Sequence, residues 1–249
     1  MAADISENLV RVRQAISEAE RAAGRPNGSV QLVAVTKTHP VDVIQKAIDA
    51  GQLIFGENRV QEARAKIPEL SSRVQWHLIG HLQSNKVRIA LPLFQLIHGV
   101  DSVELLADID RVATELGLFP RVLLQVNVAG EASKFGFSPA KLFEQIETVA
   151  GFKRANIEGL MTIPPLAPSP EHSRRYFVAL RELRDRLTRE SGFPWPELSM
   201  GMSGDYLVAI AEGATMVRVG TAIFGERRAR FPTGKTPPNA DSVRDGFHR

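Results

Sequence analysis

Eight short apolar runs recur along the chain, with helix-like segments between most of them, and this alternation restricts the fold more than any other feature. The runs stand at 31–36, 53–55, 74–79, 96–97, 122–128, 157–163, 197–200 and 216–219. They are too short for helices, and Val and Ile recur in them, which suits a pleated strand. Helical patterns occupy 41–50, 58–67, 102–116, 139–149, 171–190 and 204–212, while the connection 81–93 shows none that is clear. Strands that alternate with helices build a parallel sheet, and eight such units in 249 residues match a closed (β/α)8 barrel. An open doubly wound sheet is the rival, but no Gly-x-Gly-x-x-Gly follows the first strand. A further amphipathic helix at 4–23 carries Ile5, Leu9, Val12, Ile16 and Ala23 at helical spacing. The expected architecture is a single α/β domain, a (β/α)8 TIM barrel with an extra N-terminal helix. It spans 1–226, of which 1–29 is helix and lead-in, and a basic, flexible tail is expected over 227–249. The first helix either covers the barrel floor, which would suit a monomer, or leaves its apolar stripe exposed, since both give the same pattern.

Composition fits that fold and excludes several function classes. Hydrophobic residues make up 43% of the chain and charged residues 24%, so a packed core is expected and disorder is not. The absence of Cys removes a disulfide framework, a thiolate metal site and a cysteine nucleophile. No apolar run reaches the roughly 18 residues of a membrane span. The start, Met1-Ala-Ala-Asp-Ile-Ser-Glu-Asn8, lacks the basic and apolar stretches of a secretory signal, so a cytoplasmic protein is expected. The net charge of +3 comes from the tail, where six Lys/Arg from Arg227 to Arg249 face only Asp241 and Asp245. A body near neutrality is not an electrostatic footprint for nucleic acid.

In such a barrel the chemistry sits where strands end and the following loops begin. The first strand ends in Thr36-Lys37-Thr38-His39-Pro40, and by period two Lys37 shares a face with Val33 and Val35. If that face is inward, the amine stands at the barrel mouth; otherwise it is a solvated strand-end lysine. The last strand, Met216-Val-Arg-Val-Gly-Thr221, places Arg218 in phase with Met216 and Gly220. Gly220 and Thr221 open the next loop, and Ser199-Met-Gly-Met-Ser-Gly-Asp205 forms a Gly/Ser-rich turn into a helix. Backbone N–H groups collected at such turns bind anions, and phosphate sites after strands seven and eight recur in this fold. Taken singly, each feature has a plainer reading: turn glycines at 201 and 204, Ser203 or Asp205 as an N-cap, Arg218 in a buried salt bridge.

A phosphate cradle with an inward lysine suggests a phosphorylated carbonyl compound held as a Schiff base, and pyridoxal 5′-phosphate is the common cofactor of that kind. Arg218 is the candidate partner of its ring nitrogen. An arginine keeps its proton, so the nitrogen would stay unprotonated and the ring would be a weak electron sink.

With these residues the chain resembles the pyridoxal phosphate homeostasis proteins (the YggS/PROSC family). The matching stretches are Leu32-Val-Ala-Val-Thr-Lys-Thr-His39, Phe55-Gly-Glu-Asn-Arg-Val-Gln-Glu62, Trp76-His-Leu-Ile-Gly-His-Leu-Gln-Ser-Asn-Lys86, Leu198-Ser-Met-Gly-Met-Ser203 and Val217-Arg-Val-Gly-Thr-Ala-Ile-Phe-Gly225. The resemblance implies a barrel like the N-terminal domain of alanine racemase that binds pyridoxal phosphate covalently. It implies Lys37 as the Schiff-base lysine and Arg218 facing the ring nitrogen. Ser203, Gly204, Gly220 and Thr221 would hold the phosphate, with Asn58 near the ring. It further implies a role in intracellular vitamin B6 balance without an established reaction, with pyridoxal phosphate-dependent apo-enzymes as candidate recipients.

Other residues carry two readings each. Asn58 either contacts the cofactor or caps the helix that follows. His77 and His81 read as polar mouth residues, because a metal site needs a third ligand that nothing nearby supplies. Met161 reads as core rather than ring packing, Lys134 as a solvated loop lysine, and the charged run 171–190 as a solvated helix face. Three classes follow: a carrier or regulator of the cofactor, an amino-acid racemase of the same fold, and a pyridoxal-free barrel enzyme acting on sugar phosphates. A racemase needs a proton donor on each face of its substrate, and beyond Lys37 no second donor is evident; the only tyrosines are Tyr176 and Tyr206. The carrier reading is preferred.

Overall fold

The computed structural model describes residues 4–131 and 134–226. Eight parallel strands close into a barrel in sequence order: β1 (Gln31–Val35), β2 (Ile54–Glu57), β3 (Gln75–Leu78), β4 (Leu96–Val100), β5 (Arg121–Gln125), β6 (Asn156–Met161), β7 (Glu197–Met202) and β8 (Met216–Val219). Helices α1 (Ile5–Ala22), α2 (Val41–Asp49), α3 (Val60–Lys66), α4 (Val87–Ala90), α5 (Val103–Leu116), α6 (Pro139–Glu144), α7 (Ile146–Ala150), α8 (Arg174–Ser191), α9 (Tyr206–Ala211) and α10 (Thr221–Phe224) surround it. The expected barrel is therefore present. The tail from 227 lies outside the described residues.

Two kinds of apolar packing separate the faces of each strand. Leu32 and Ala34 belong to the large cluster that joins the sheet to the helices. Val33, Val35 and Ile79 form a separate cluster with Ile54, and Leu96, Leu123, Met161 and Met216 form another. These smaller clusters fill the barrel interior, so the valine face of β1 is the inward one. Met161 is fully buried there as core.

Several expectations shift in detail. The segment 139–149 forms two short helices that meet at Gln145 rather than one. The unclear connection 81–93 holds a single 3-10 turn, Ser84–Lys86, and the four residues of α4. Strand β4 extends to Val100, which brings His98 into the sheet. Helix α1 does not lie under the floor. It packs against α9, α10 and α2, in the outer ring, where the short α10 leaves room after β8. Its stripe of Ile5, Leu9, Val12 and Ile16 is buried on that ring.

Candidate functional site

The first and last strands are neighbours, with Val33 opposite Arg218. Lys37 follows β1 in the inward phase and is half-buried at the mouth. A Cβ on Gly220 would lie 3.4 Å from Val35 Cβ, so the end of β8 sits directly beside the strand that leads to Lys37. The His39 and Phe224 rings, 4.8 Å apart, join the loop after Lys37 to α10.

The segment that carries Lys37 is tied on both flanks. Thr36 Oγ1 donates to Glu57 Oε1 at 2.7 Å, and the Thr36 carbonyl accepts from Lys66 Nζ at 3.0 Å. On the other flank Thr38 N–H donates to Glu62 Oε1 at 2.5 Å. Thr38 has φ of 67°, the one non-glycine residue in the left-handed region among the described residues. β-branched residues rarely adopt that conformation, and such outliers persist where surroundings hold them.

Arg218 is the charged centre of the interior. It is buried, and no carboxylate hydrogen-bonds to it among the described residues, so it is not half of a buried salt bridge. Its Nη1 donates to Ser199 Oγ at 2.6 Å and its Nη2 to the Thr162 carbonyl at 2.9 Å. Burial pushes its pKa down to about 10, opposed by the nearby charge of Asp205, so it remains a cation at neutral pH. Ser199 Oγ also contacts His98 Nδ1 at 2.8 Å, and His98 Nε2 contacts His77 Nδ1 at 3.1 Å. A guanidinium can only donate, so Ser199 accepts from Arg218, while the direction of its bond with His98 follows the His98 tautomer. The file runs from Arg218 through Ser199 and His98 to His77. Burial, with the positive charge of Arg121, holds His77 down to about 4. His98 lies well below the ordinary histidine value through burial and the charges of His77, Arg218 and Arg121. His77 is therefore a neutral interior residue, not a mouth residue as its sequence position suggested.

The two loops expected to hold an anion meet. Ser203 Oγ accepts from the Gly220 N–H at 3.1 Å and from the Ala222 N–H at 3.4 Å. Gly204 and Thr221 are exposed beside this junction, and a Cβ on Gly204 would meet nothing within 4 Å. Gly201 has no such freedom: with φ of 91°, a Cβ would fall 2.6 Å from Ala209 Cβ. Asp205 accepts from the Met202 N–H at 2.7 Å and closes the turn; neither it nor Ser203 caps α9 with its side chain.

Asn58 does not cap α3 either. The helix begins at Val60 and its N-cap is Arg59. Asn58 continues the inward phase of Ile54 and Gly56, and its side-chain amide makes no hydrogen bond among the described residues. His81 is at the mouth, with Nδ1 2.8 Å from Asp101 Oδ2 and its ring stacked on Phe135 at 4.1 Å. Lys134 pairs with Glu131 at 2.8 Å. No group of three or more His, Cys, Asp or Glu among the described residues could hold a metal ion. Sequence reasoning passed over Ser199, His98, Glu57, Glu62, Lys66 and Asp101. Alternation does not mark Ser199, because the register of β7 shifts between Ser199 and Met202 and a Cβ on Gly201 would point at Ala209 of α9.

The family described as alanine racemase, N-terminal domain, matches residues 8–228. The pyridoxal phosphate homeostasis protein of Aquifex aeolicus is 44% identical over 223 residues, covering 89% of this chain and 98% of that protein. That of Escherichia coli K12 is 42% identical over 230 residues, covering 90% and 97%. The chain belongs to the pyridoxal phosphate homeostasis protein family. Among solved structures, PipY of Synechococcus elongatus with PLP bound superposes with a TM-score of 0.80 at 42% identity, covering 89% of this chain and all of that one. Alanine racemase of Clostridium difficile 630 shares the barrel, with a TM-score of 0.68 at 16% identity over 91% of this chain and 58% of that one. This likeness carries the fold alone. The agreement with the first group covers the same barrel on which the mouth is built.

Proposed function

We propose that the chain binds pyridoxal 5′-phosphate as a Schiff base on Lys37 and serves vitamin B6 homeostasis as a carrier or regulator. The observation that carries the proposal is the convergence at one end of β1 and β8 of an amine, a buried guanidinium and two joined anion-binding loops. The residues fit such a group. When bound, pyridoxal phosphate supplies an electrophilic aldehyde and an electron-withdrawing ring. Lys37 would provide the attacking amine from its half-buried place after β1, the strand that pairs with the Arg218-bearing β8. Arg218 has used two of its five N–H groups on Ser199 and Thr162, and the others can donate to a ring nitrogen without protonating it. Ser203, Gly204, Gly220 and Thr221 offer the hydroxyls and backbone N–H groups that would hold the phosphate, and Asn58 would lie near the ring.

A site that lacks a proton donor for the ring nitrogen is suited to holding the cofactor more than to deep carbanion chemistry. Release to pyridoxal phosphate-dependent apo-enzymes is the corresponding role. The burial of the α1 stripe within the chain supports a monomer, to be read from the solution mass, and a cytoplasmic location goes with this role. No helix among the described residues is long and apolar enough to cross a membrane.

The test is borohydride reduction of the protein after addition of pyridoxal phosphate, followed by peptide mapping. The adduct is expected on Lys37 and should vanish in Lys37→Ala. An adduct elsewhere, or none, overturns the proposal. The racemase reading gains one group from the structure, His81 oriented by Asp101 at the mouth. Loaded protein incubated with L-alanine is expected to leave its chirality intact; turnover near about 1 s⁻¹ would put the chain among enzymes.

A further inference from the structure

Beneath the mouth, on the outer side of β1 and β2, lies a charged cluster that the cofactor reading leaves unused. Lys66, the last residue of α3, is buried and donates to three oxygens: Glu57 Oε1 at 2.8 Å, Glu62 Oε1 at 2.6 Å and the Thr36 carbonyl at 3.0 Å. An ammonium has three N–H groups, so all are spent. Glu57, at the end of β2, is fully buried, and its Oε1 also accepts from Thr36 Oγ1. Glu62 stands one turn before Lys66 on α3 and accepts the Thr38 N–H. One lysine thus gathers, directly or through two carboxylates, the residues on either side of Lys37. The residue they hold on the far side, Thr38, has the positive φ.

We propose that Lys66, with Glu57 and Glu62, is a positioning clamp that sets where the Lys37 amine stands for covalent capture of an aldehyde. This rests on the reading of Lys37 as the capturing amine. Three features favour a clamp over plain stabilisation. A buried ion pair is a weak source of stability compared with apolar packing, because desolvation offsets much of its attraction. Its hydrogen bonds go to the backbone on both sides of Lys37, the Thr36 carbonyl and the Thr38 N–H, rather than along α3 alone. Finally, the Thr38 conformation is one the chain would leave if released. The arrangement also keeps a second lysine near the mouth from competing, since every N–H of Lys66 is engaged.

The test separates capture from binding. Covalent uptake of pyridoxal 5′-phosphate is followed by visible absorption in a stopped-flow instrument. Equilibrium binding of pyridoxine 5′-phosphate, which has ring and phosphate but no aldehyde, reports the non-covalent site. Folded Lys66→Met is expected to take up the aldehyde on the order of 10- to 100-fold more slowly, the range for a misplaced reacting group. Its affinity for pyridoxine 5′-phosphate should hold. Glu62→Ala keeps the Lys66–Glu57 pair and frees only the Thr38 side of the clamp. It should slow uptake severalfold and decides the matter if Lys66→Met does not fold. Unslowed uptake in either folded variant, or parallel loss of both readouts, overturns the clamp. Wild-type protein that captures no pyridoxal phosphate at all would instead overturn the parent reading, and the clamp with it.

Discussion

An alanine at position 80 would place its Cβ 2.3 Å from the Asn58 carbonyl oxygen, which is backbone and cannot swing aside. The strands β2 and β3 pass so close there that only glycine fits, and this contact helps fix the height of Asn58 at the mouth. Overpacking of this kind costs about 1–3 kcal/mol. Gly80→Ala is therefore expected to lower Tm by several degrees, at about 2–4 °C per kcal/mol for a chain of this size. A melt indistinguishable from wild type would mean the loop has slack that the contact does not suggest. At this scale the sequence offered some candidate residues and hid others for a physical reason. Lys37, Ser203 and Gly220 stand at strand ends or in Gly-rich turns, where turn chemistry marks them as candidates, and Arg218 is marked inside β8 by its parity with Met216. His98 and Ser199 sit inside strands, where an inward polar side chain looks like any other polar residue. Their meaning comes from a partner on another strand, His98 on β4 and Ser199 on β7, which no local pattern supplies.

Among the elements, α1 owes its attachment to a residue that reads as surface. Glu20 lies in the last turn of α1, where a negative charge is unfavourable beside the carbonyl ends of the helix. It is nevertheless buried. Its Oε1 accepts from the Val30 N–H at 2.7 Å and Ser29 Oγ at 3.2 Å, and its Oε2 from the Gly28 N–H at 3.0 Å. These bonds turn the chain from α1 into β1. Arg25, held to the Ile210 and Ala214 carbonyls, ties the same turn to α9 and its C-terminal connection. In Glu20→Ala the buried Val30 N–H loses its acceptor, and charged hydrogen bonds are lost with it, for an expected loss of about 2–3 kcal/mol. Urea unfolding should show this as a lower midpoint at unchanged slope. A loss under about 0.5 kcal/mol, the size of an ordinary surface change, would refute the assignment. The helix was legible from its apolar spacing, yet its place was not. Periodicity reports that a face is covered and says nothing of what covers it, so the ring position between α9 and α2 emerged only from contacts.

For the molecule as a whole, the alternation of runs and helices was enough to give the closed sheet, because eight parallel units of this length have few other ways to bury both faces. The interior of that sheet is less apolar than the outer layer and makes the fold sensitive to acid. His77 titrates at about 4 and His98 well below 6.5 in the folded chain, whereas an unfolded histidine titrates near 6.5. Between these values the unfolded chain binds protons that the folded barrel refuses, so stability falls as pH is lowered through this window. It is fully present above about 6.5 and declines toward 4, by of order 1 kcal/mol per pH unit for each histidine. Glu57 acts in the opposite sense, since burial raises its pKa above 4.5 and the folded state takes up its proton more readily. Two histidines against one carboxylate leave a net loss. Thermal melts should therefore decline from pH 6.5 to 4, and His77→Gln, which keeps a hydrogen-bonding group for His98 but has no ring to protonate, should flatten the slope. Equal slopes in the two proteins would mean that acid enters the fold elsewhere and that the file from Arg218 to His77 is not its point of failure.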